Sequence, residues 1–216
     1  MSALATATLI VNKIAPTILS EVVTKTYGDP DFNISAISSS TGTFSYQVMN
    51  TNVASNTGTN SITITGVGTT TISISQTADA NFLTGSKTIL LYVRKADPNI
   101  FISNIVTRTY GDPDFNLTAT SSSTGIFSFN PLDSSIASIS SNTVSIAGAG
   151  TTTIIVNQQS DPFYNSGSSS ITLIVYKADP IIYFPNVTKT FGDPDFTLSA
   201  ISSSTGDFAY SINDIR

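Results

Sequence analysis

The chain is predicted to be all-β, a tandem series of two-sheet sandwiches, from three observations. Apolar residues alternate with Ser and Thr at period two, no stretch of about 11 residues has helical spacing, and the whole pattern recurs. The recurrence is explicit: Lys25 to Gly42, Arg108 to Gly125 and Lys189 to Gly206 align on the box Gly-Asp-Pro-Asp-Phe and the run Ser-Ser-Ser-Thr-Gly, spaced by 83 and then 81 residues. A second set of landmarks keeps that period. Gly66-Val67-Gly68-Thr69 returns as Gly148-Ala149-Gly150-Thr151, and Lys95-Ala96-Asp97-Pro98 as Lys177-Ala178-Asp179-Pro180.

In the same register Leu9, Val11, Lys13 and Pro16 match Leu91, Val93, Lys95 and Pro98. The expected organisation is therefore residues 1–13 as the last strand of a preceding module, 14–96 as module 1, 97–178 as module 2 and 179–216 as part of module 3. An incomplete sandwich exposes edge strands, which invites pairing with another chain.

Within module 1 the alternation gives strands near 18–26, 32–38, 43–49, 52–56, 60–65, 69–77 and 86–94. Seven short strands in one repeat suit a two-sheet, immunoglobulin-like sandwich. Ile62 and Ile64, then Ile72 and Ile74, alternate with Ser and Thr around Gly66–Gly68 and read as a hairpin. Ile89, Leu91 and Val93, with Ile171, Leu173 and Val175, share one face and should fill the cores. Phe44 and Tyr46, repeated as Phe127 and Phe129 and as Phe208 and Tyr210, also share a face and read as core.

Composition narrows the function classes. His, Cys and Trp are absent, and the acids are thirteen Asp and one Glu, Glu21. There is thus no disulfide staple, no thiolate metal site and no imidazole base. A net charge of -5, with nine scattered Lys and Arg, repels phosphate backbones, so nucleic acid is not an expected partner. The apolar run Ala3–Val11 is broken by Thr6 and Thr8 and is far too short to cross a bilayer, so no signal peptide and no membrane insertion is read here. Solubility falls to Ser, Thr, Asn and Gly, as in secreted or particle-surface β proteins.

The chain resembles the bacterial immunoglobulin-like (Big, or MBG-type) repeats of large surface proteins, found also on phage and virus particles. The resemblance is carried by the Tyr-Gly-Asp-Pro-Asp-Phe box, Asn52-Val53-Ala54-Ser55 with Ser135-Ile136-Ala137-Ser138, the Gly-Val-Gly-Thr-Thr-Thr segment and the loop Asp79-Ala80-Asn81-Phe82. It implies an immunoglobulin-like fold and leaves the ligand open, because such repeats serve adhesins, spacers and virion decorations alike.

The most distinctive chemistry is the repeated acid pair: Asp29 with Asp31, Asp112 with Asp114, Asp193 with Asp195. With the corner acids Asp97 and Asp179 they are the residues that could hold calcium at a junction. The competing account is a turn, in which Gly supplies positive φ, Asp bonds the nearby backbone and Pro presets the chain. No third acid or Glu follows within the loop, so no metal and no cofactor are assigned. The Ser38–Thr41 run and its copies lack a base and read as polar loop. Lys87 and Lys95 could donate to an isopeptide staple, but lysine at a strand end ordinarily reaches for water.

The corner Lys-Ala-Asp-Pro joins modules with almost no slack, so neighbours should be held rather than tethered. The expected function is a non-enzymatic structural or adhesive spacer, extracellular on a cell or virion surface. Its partners are neighbouring modules or subunits of a surface assembly, any glycan ligand being unspecified. The alternative is a self-assembling fibre or decoration subunit whose open strands are completed by neighbours.

Overall fold

The computed structural model describes residues 4–213. Residues 1–3 of the expected leading strand and 214–216 of the third segment lie outside the described residues. The protein is all-β, built as tandem immunoglobulin-like sandwiches, with no helix among the described residues.

The first repeat has nine strands: β1 (Ile18–Leu19), β2 (Val23–Thr26), β3 (Phe32–Asn33), β4 (Ile37–Ser38), β5 (Phe44–Val48), β6 (Ala54–Ser55), β7 (Ser61–Ile64), β8 (Gly68–Gln76) and β9 (Gly85–Arg94). The second repeats them as β10 (Ile100–Phe101), β11 (Ile105–Thr109), β12 (Phe115–Asn116), β13 (Thr120–Ser121), β14 (Phe127–Pro131), β15 (Ala137–Ser140), β16 (Thr143–Ile146), β17 (Gly150–Gln158) and β18 (Gly167–Tyr176). β19 (Ile182–Tyr183) and β20 (Ile201–Ser202) follow.

The sheet order of the first repeat is β2-β9-β8-β5 in one layer and β3-β7-β6 in the other, with β1 paired to β4. The second repeat has the same order, β11-β18-β17-β14, β12-β16-β15 and β10-β13. β8 and β9 form the long antiparallel ladder, from Gly68 opposite Val93 to Gln76 opposite Gly85.

By proximity the described chain forms two compact units, one of residues 4–102, 118–129 and 155–170, the other of 103–117, 130–154 and 171–213. The first unit holds the whole first repeat. Its core is Ile34, Ile62, Ile72, Ile74 and Leu91 with Val53 and Val93, all buried. Of these, Ile62, Ile72, Ile74, Leu91 and Val93 are the inward positions of the period-two pattern, so the alternation selects them. In the second unit Leu117, Val144, Ile154, Ile171, Leu173 and Val175 are buried in the same way.

Two sequence expectations change. The strands expected over 18–26 and 32–38 each break in two, because the chain changes sheet: β1 and β4 pair antiparallel with each other, whereas β2 runs parallel to β9 and β3 pairs with β7. Glu21 and Val22, at the change of sheet, face solvent. The expected hairpin around Gly66–Gly68 is instead a crossover between sheets, since β7 pairs with β3 and β6 while β8 pairs with β5 and β9. The amides of Thr65 and Gly66 both donate to the Val53 carbonyl, and Gly68 adopts φ +140°. Apolar alternation fixes which face is buried but not which neighbour is paired, so the two cases read alike in sequence.

Phe44 and Tyr46 are half-buried against the first core, while Phe208 and Tyr210 are exposed.

Gly42 offers a direct check on the packing. A Cβ there would fall on the Thr77 carbonyl, which belongs to backbone held by the Thr77 amide bond to Thr43. Gly42→Ala is expected to cost about 2–3 kcal/mol in denaturant unfolding. Gly58→Ala, at φ +85° with no atom within 4 Å, should cost only about 1 kcal/mol.

Candidate functional site

Three local devices repeat along the chain, and together they define the segment between repeats. The first is the acid-pair box. Gly28 takes φ +88° and the Thr26 amide donates to Asp29 Oδ2 at 2.9 Å, closing the turn. Thr109 with Asp112 (2.8 Å) and Thr190 with Asp193 (2.9 Å) repeat that bond. Asp114 accepts the Ser145 hydroxyl at 2.8 Å, and Asp97 accepts the Asn165 side-chain amide at 2.8 Å. Asp31, Asp179 and Asp195 are exposed. Among the described residues no three of His, Cys, Asp or Glu are grouped as metal ligands. A cation also crosses the box in each copy: Lys25 lies 4.6 Å from the Phe32 ring centroid, Arg108 4.1 Å from Phe115, and Lys189 4.9 Å from Phe196.

The second device is a carboxylate clamp. Asp79 Oδ2 accepts the Ser40 hydroxyl (2.9 Å), the Thr41 amide (2.8 Å) and the Thr41 hydroxyl (3.0 Å). Its Oδ1 accepts the amides of Asn81 and Phe82, both at 2.8 Å. Asp161 does the same with Ser123, Thr124, Phe163 and Tyr164, at 2.7 to 3.0 Å. The Thr41, Asn81 and Phe82 amides hold the Asp79 carboxyl far below the usual carboxylate range. Asp161 is held equally low: partial desolvation acts against the ionised form, and the amides of Thr124, Phe163 and Tyr164 outweigh it. The Ser-Ser-Thr-Gly run is fastened from the other side by a buried glutamine, Gln76 Nε2 donating to the carbonyls of Ser40 (3.0 Å) and Gly42 (2.8 Å). Gln158 repeats this on Ser123 and Gly125.

The third device is the connecting segment itself. Lys95 Nζ donates to the Asp161 carbonyl at 2.6 Å, the Ala96 amide to the Phe163 carbonyl at 3.0 Å, and the Asn165 amide to the Ala96 carbonyl at 2.8 Å. Ala96 and Tyr164 thereby form a parallel bridge. Tyr27, just after β2, stacks on Phe163 at 4.6 Å between centroids and 17° between planes, and meets Tyr164 edge-on at 5.8 Å. All of these residues belong to the first compact unit. Upstream the arrangement recurs: Lys13 Nζ donates to the Asp79 carbonyl at 2.7 Å, the Leu83 amide to the Ile14 carbonyl at 2.8 Å, and Ile14 bridges Phe82. Thus the lysine expected to reach for water instead caps the clamp loop, and the short corner is held by an isolated backbone bridge.

No family model matches the chain, and no curated protein does. Among solved structures it is similar to Drosophila N-cadherin EC1-4, at 14% identity and TM-score 0.37, over 77% of this chain and 50% of that one. It is similar to domains 1-6 of the surface layer protein SbsC at 18% and 0.33, over 79% and 29%. For the titin domains z1z2, solved in complex with telethonin, the values are 17% and 0.38, over 78% and 100%. The chain thus spans half of that cadherin fragment and under a third of that surface layer protein fragment. The fold assignment rests on the sheet order above.

Sequence reasoning named the Asp79 loop as a landmark and gave its carboxylate no role. A usable signal was present: Asp79 and Asp161 recur at the repeat spacing together with Gln76 and Gln158, outside both the acid-pair box and the corner. The acid pairs flank a proline in every copy, whereas the carboxylate that organises each loop stands alone.

Proposed function

We propose that this chain is a non-enzymatic structural spacer, tandem immunoglobulin-like repeats of the Big/MBG type in a protein displayed outside the cell or on a virion surface. The observation that carries this reading is the connecting segment. Lys95 and Ala96 are hydrogen-bonded into the Asp161 loop, and Lys13 and Ile14 into the Asp79 loop, so each corner continues as paired backbone. A recognition module on a flexible tether has no need of such pairing, whereas a spacer that transmits position does. Supporting it, the acids serve as turn and loop acceptors.

The test is whether the two repeats tumble together. Backbone relaxation should give equal rotational correlation times for residues of β8 and of β17. The variant Lys95→Ala, whose side chain lies outside the first-repeat core, should make them diverge. Independent tumbling in the unaltered chain would contradict the spacer reading.

A further inference from the structure

In the first repeat the ladders β1–β4, β3–β7, β5–β8, β6–β7 and β8–β9 are antiparallel, whereas β2–β9 is parallel. That parallel ladder joins the strand by which the chain enters the four-stranded sheet to the strand by which it leaves the repeat. Its register sets Val23 opposite Leu91, Thr24 opposite Tyr92, Lys25 opposite Val93 and Thr26 opposite Arg94. The Tyr27 amide extends it by donating to the Arg94 carbonyl at 2.8 Å. The second repeat has the same feature. There β11 runs parallel to β18 from Ile105 opposite Thr172 to Thr109 opposite Tyr176, and the Tyr110 amide donates to the Tyr176 carbonyl at 2.8 Å.

Strand direction decides how such a ladder meets tension along the chain. In a parallel pair the first residue of one strand and the last residue of the other lie at opposite ends of the ladder. A pull on the chain before β2 and after β9 therefore draws the two strands past each other along their length, straining all the cross-strand bonds together. Antiparallel entering and leaving strands would put both points of pull at one end and open the bonds one after another. Each bond is weak on its own, so simultaneous strain is what gives the ladder its resistance.

The surroundings of the ladder act in the same direction. Leu91 and Val93 are buried and Val23 packs against the same core, so water is kept from one face of the bonds. Nor can β2 slide toward its own start without dragging the acid-pair box behind it. Lys25 lies over the Phe32 ring of β3, in the other sheet, and the Thr26 amide is fastened to Asp29. Arg108 over Phe115 and Thr109 on Asp112 do this for β11. By contrast, β1 is held to β4 by two residue pairs.

We propose that the β2–β9 ladder, and β11–β18 in the second repeat, is a shear latch that keeps each repeat folded under tension applied along the chain. The chain then serves as a tether that resists being pulled out, a function beyond the spacer reading, since the latch lies inside each repeat and not at the corner.

The test is single-molecule force spectroscopy of the full chain. It contains no cysteine, so introduced cysteines are unique handles. Asn12→Cys with Asp97→Cys loads the first repeat through the latch. Asn12→Cys with Thr84→Cys pulls instead from the starting ends of both strands, where the latch is not sheared. All three positions are exposed, so both variants keep the fold. At one loading rate the first pair of handles should give a rupture force at least about twofold higher than the second, because the bonds of the ladder must fail together. Equal forces, or a lower force through residues 12 and 97, overturn the proposal. Equal forces with joint tumbling of the two repeats would remove the latch and leave the spacer, whereas a high force with independent tumbling would do the reverse.

Discussion

Replacing Leu91 by alanine is expected to destabilise the first repeat by about 2–5 kcal/mol, while Leu9→Ala, at the same position of the repeat, changes its stability by less than about 0.5 kcal/mol in dilute solution. The two leucines share sequence context, Leu-x-Val-x-Lys, and differ in environment. Leu91 is fully buried among Ile34, Ile62, Ile72 and Ile74, so truncation leaves a cavity that a long β8–β9 ladder cannot collapse around. Leu9 is exposed and loses little. Since whole domains are stable by only about 5–15 kcal/mol, the first substitution removes a large share of what holds one repeat folded. Urea unfolding of each variant, followed by tyrosine fluorescence, checks the contrast. Equal effects at both positions would mean that the leading segment is packed as β9 is.

The second large effect is acid sensitivity. The carboxyls of Asp79 and Asp161 are held well below their ordinary pKa by loop amides. A depressed folded-state pKa contributes stability that is fully present above the unfolded value, near pH 4, and is lost as pH falls below it toward the folded value. The melting temperature should therefore be flat from neutral pH down to about 5 and fall progressively below about pH 4. Asp133, lowered by the Ser135 hydroxyl and amide, adds in the same direction. The double variant Asp79→Asn/Asp161→Asn should melt at least about 5 °C lower at pH 7 and show a shallower acid slope, its two strongest contributors gone. An unchanged acid slope would contradict the clamp.

Much of the fold is legible in the sequence because the repeat supplies internal copies. Ile72 and Ile74, Ile89, Leu91 and Val93 lie where alternation puts them, and the core follows from that pattern alone. What alternation leaves open is pairing. The residues around Gly66 read as one hairpin, yet the Asn52 carbonyl occupies the space above Gly66 and the chain crosses to the other sheet. Likewise 18–26 reads as one strand, because nothing in Ile18 to Thr26 records that β1 has an antiparallel neighbour and β2 a parallel one. The candidate site was less legible still. Asp29 and Asp112 are conspicuous in sequence and act within three residues of themselves, whereas Asp79 reaches back 38 residues to Thr41 and 39 to Ser40 through contacts that no local spacing encodes.

The paired corner is the claim on which the functional reading depends, and hydrogen exchange at two amides tests it most directly. Ala96 N–H donates to the Phe163 carbonyl and Asn165 N–H to the Ala96 carbonyl. The account predicts that both exchange at least about a hundredfold more slowly than in an unstructured chain, with a shared opening that Lys95→Ala accelerates. Exchange of both at the unprotected rate would mean that the corner is a free tether, and the spacer reading would fall with it.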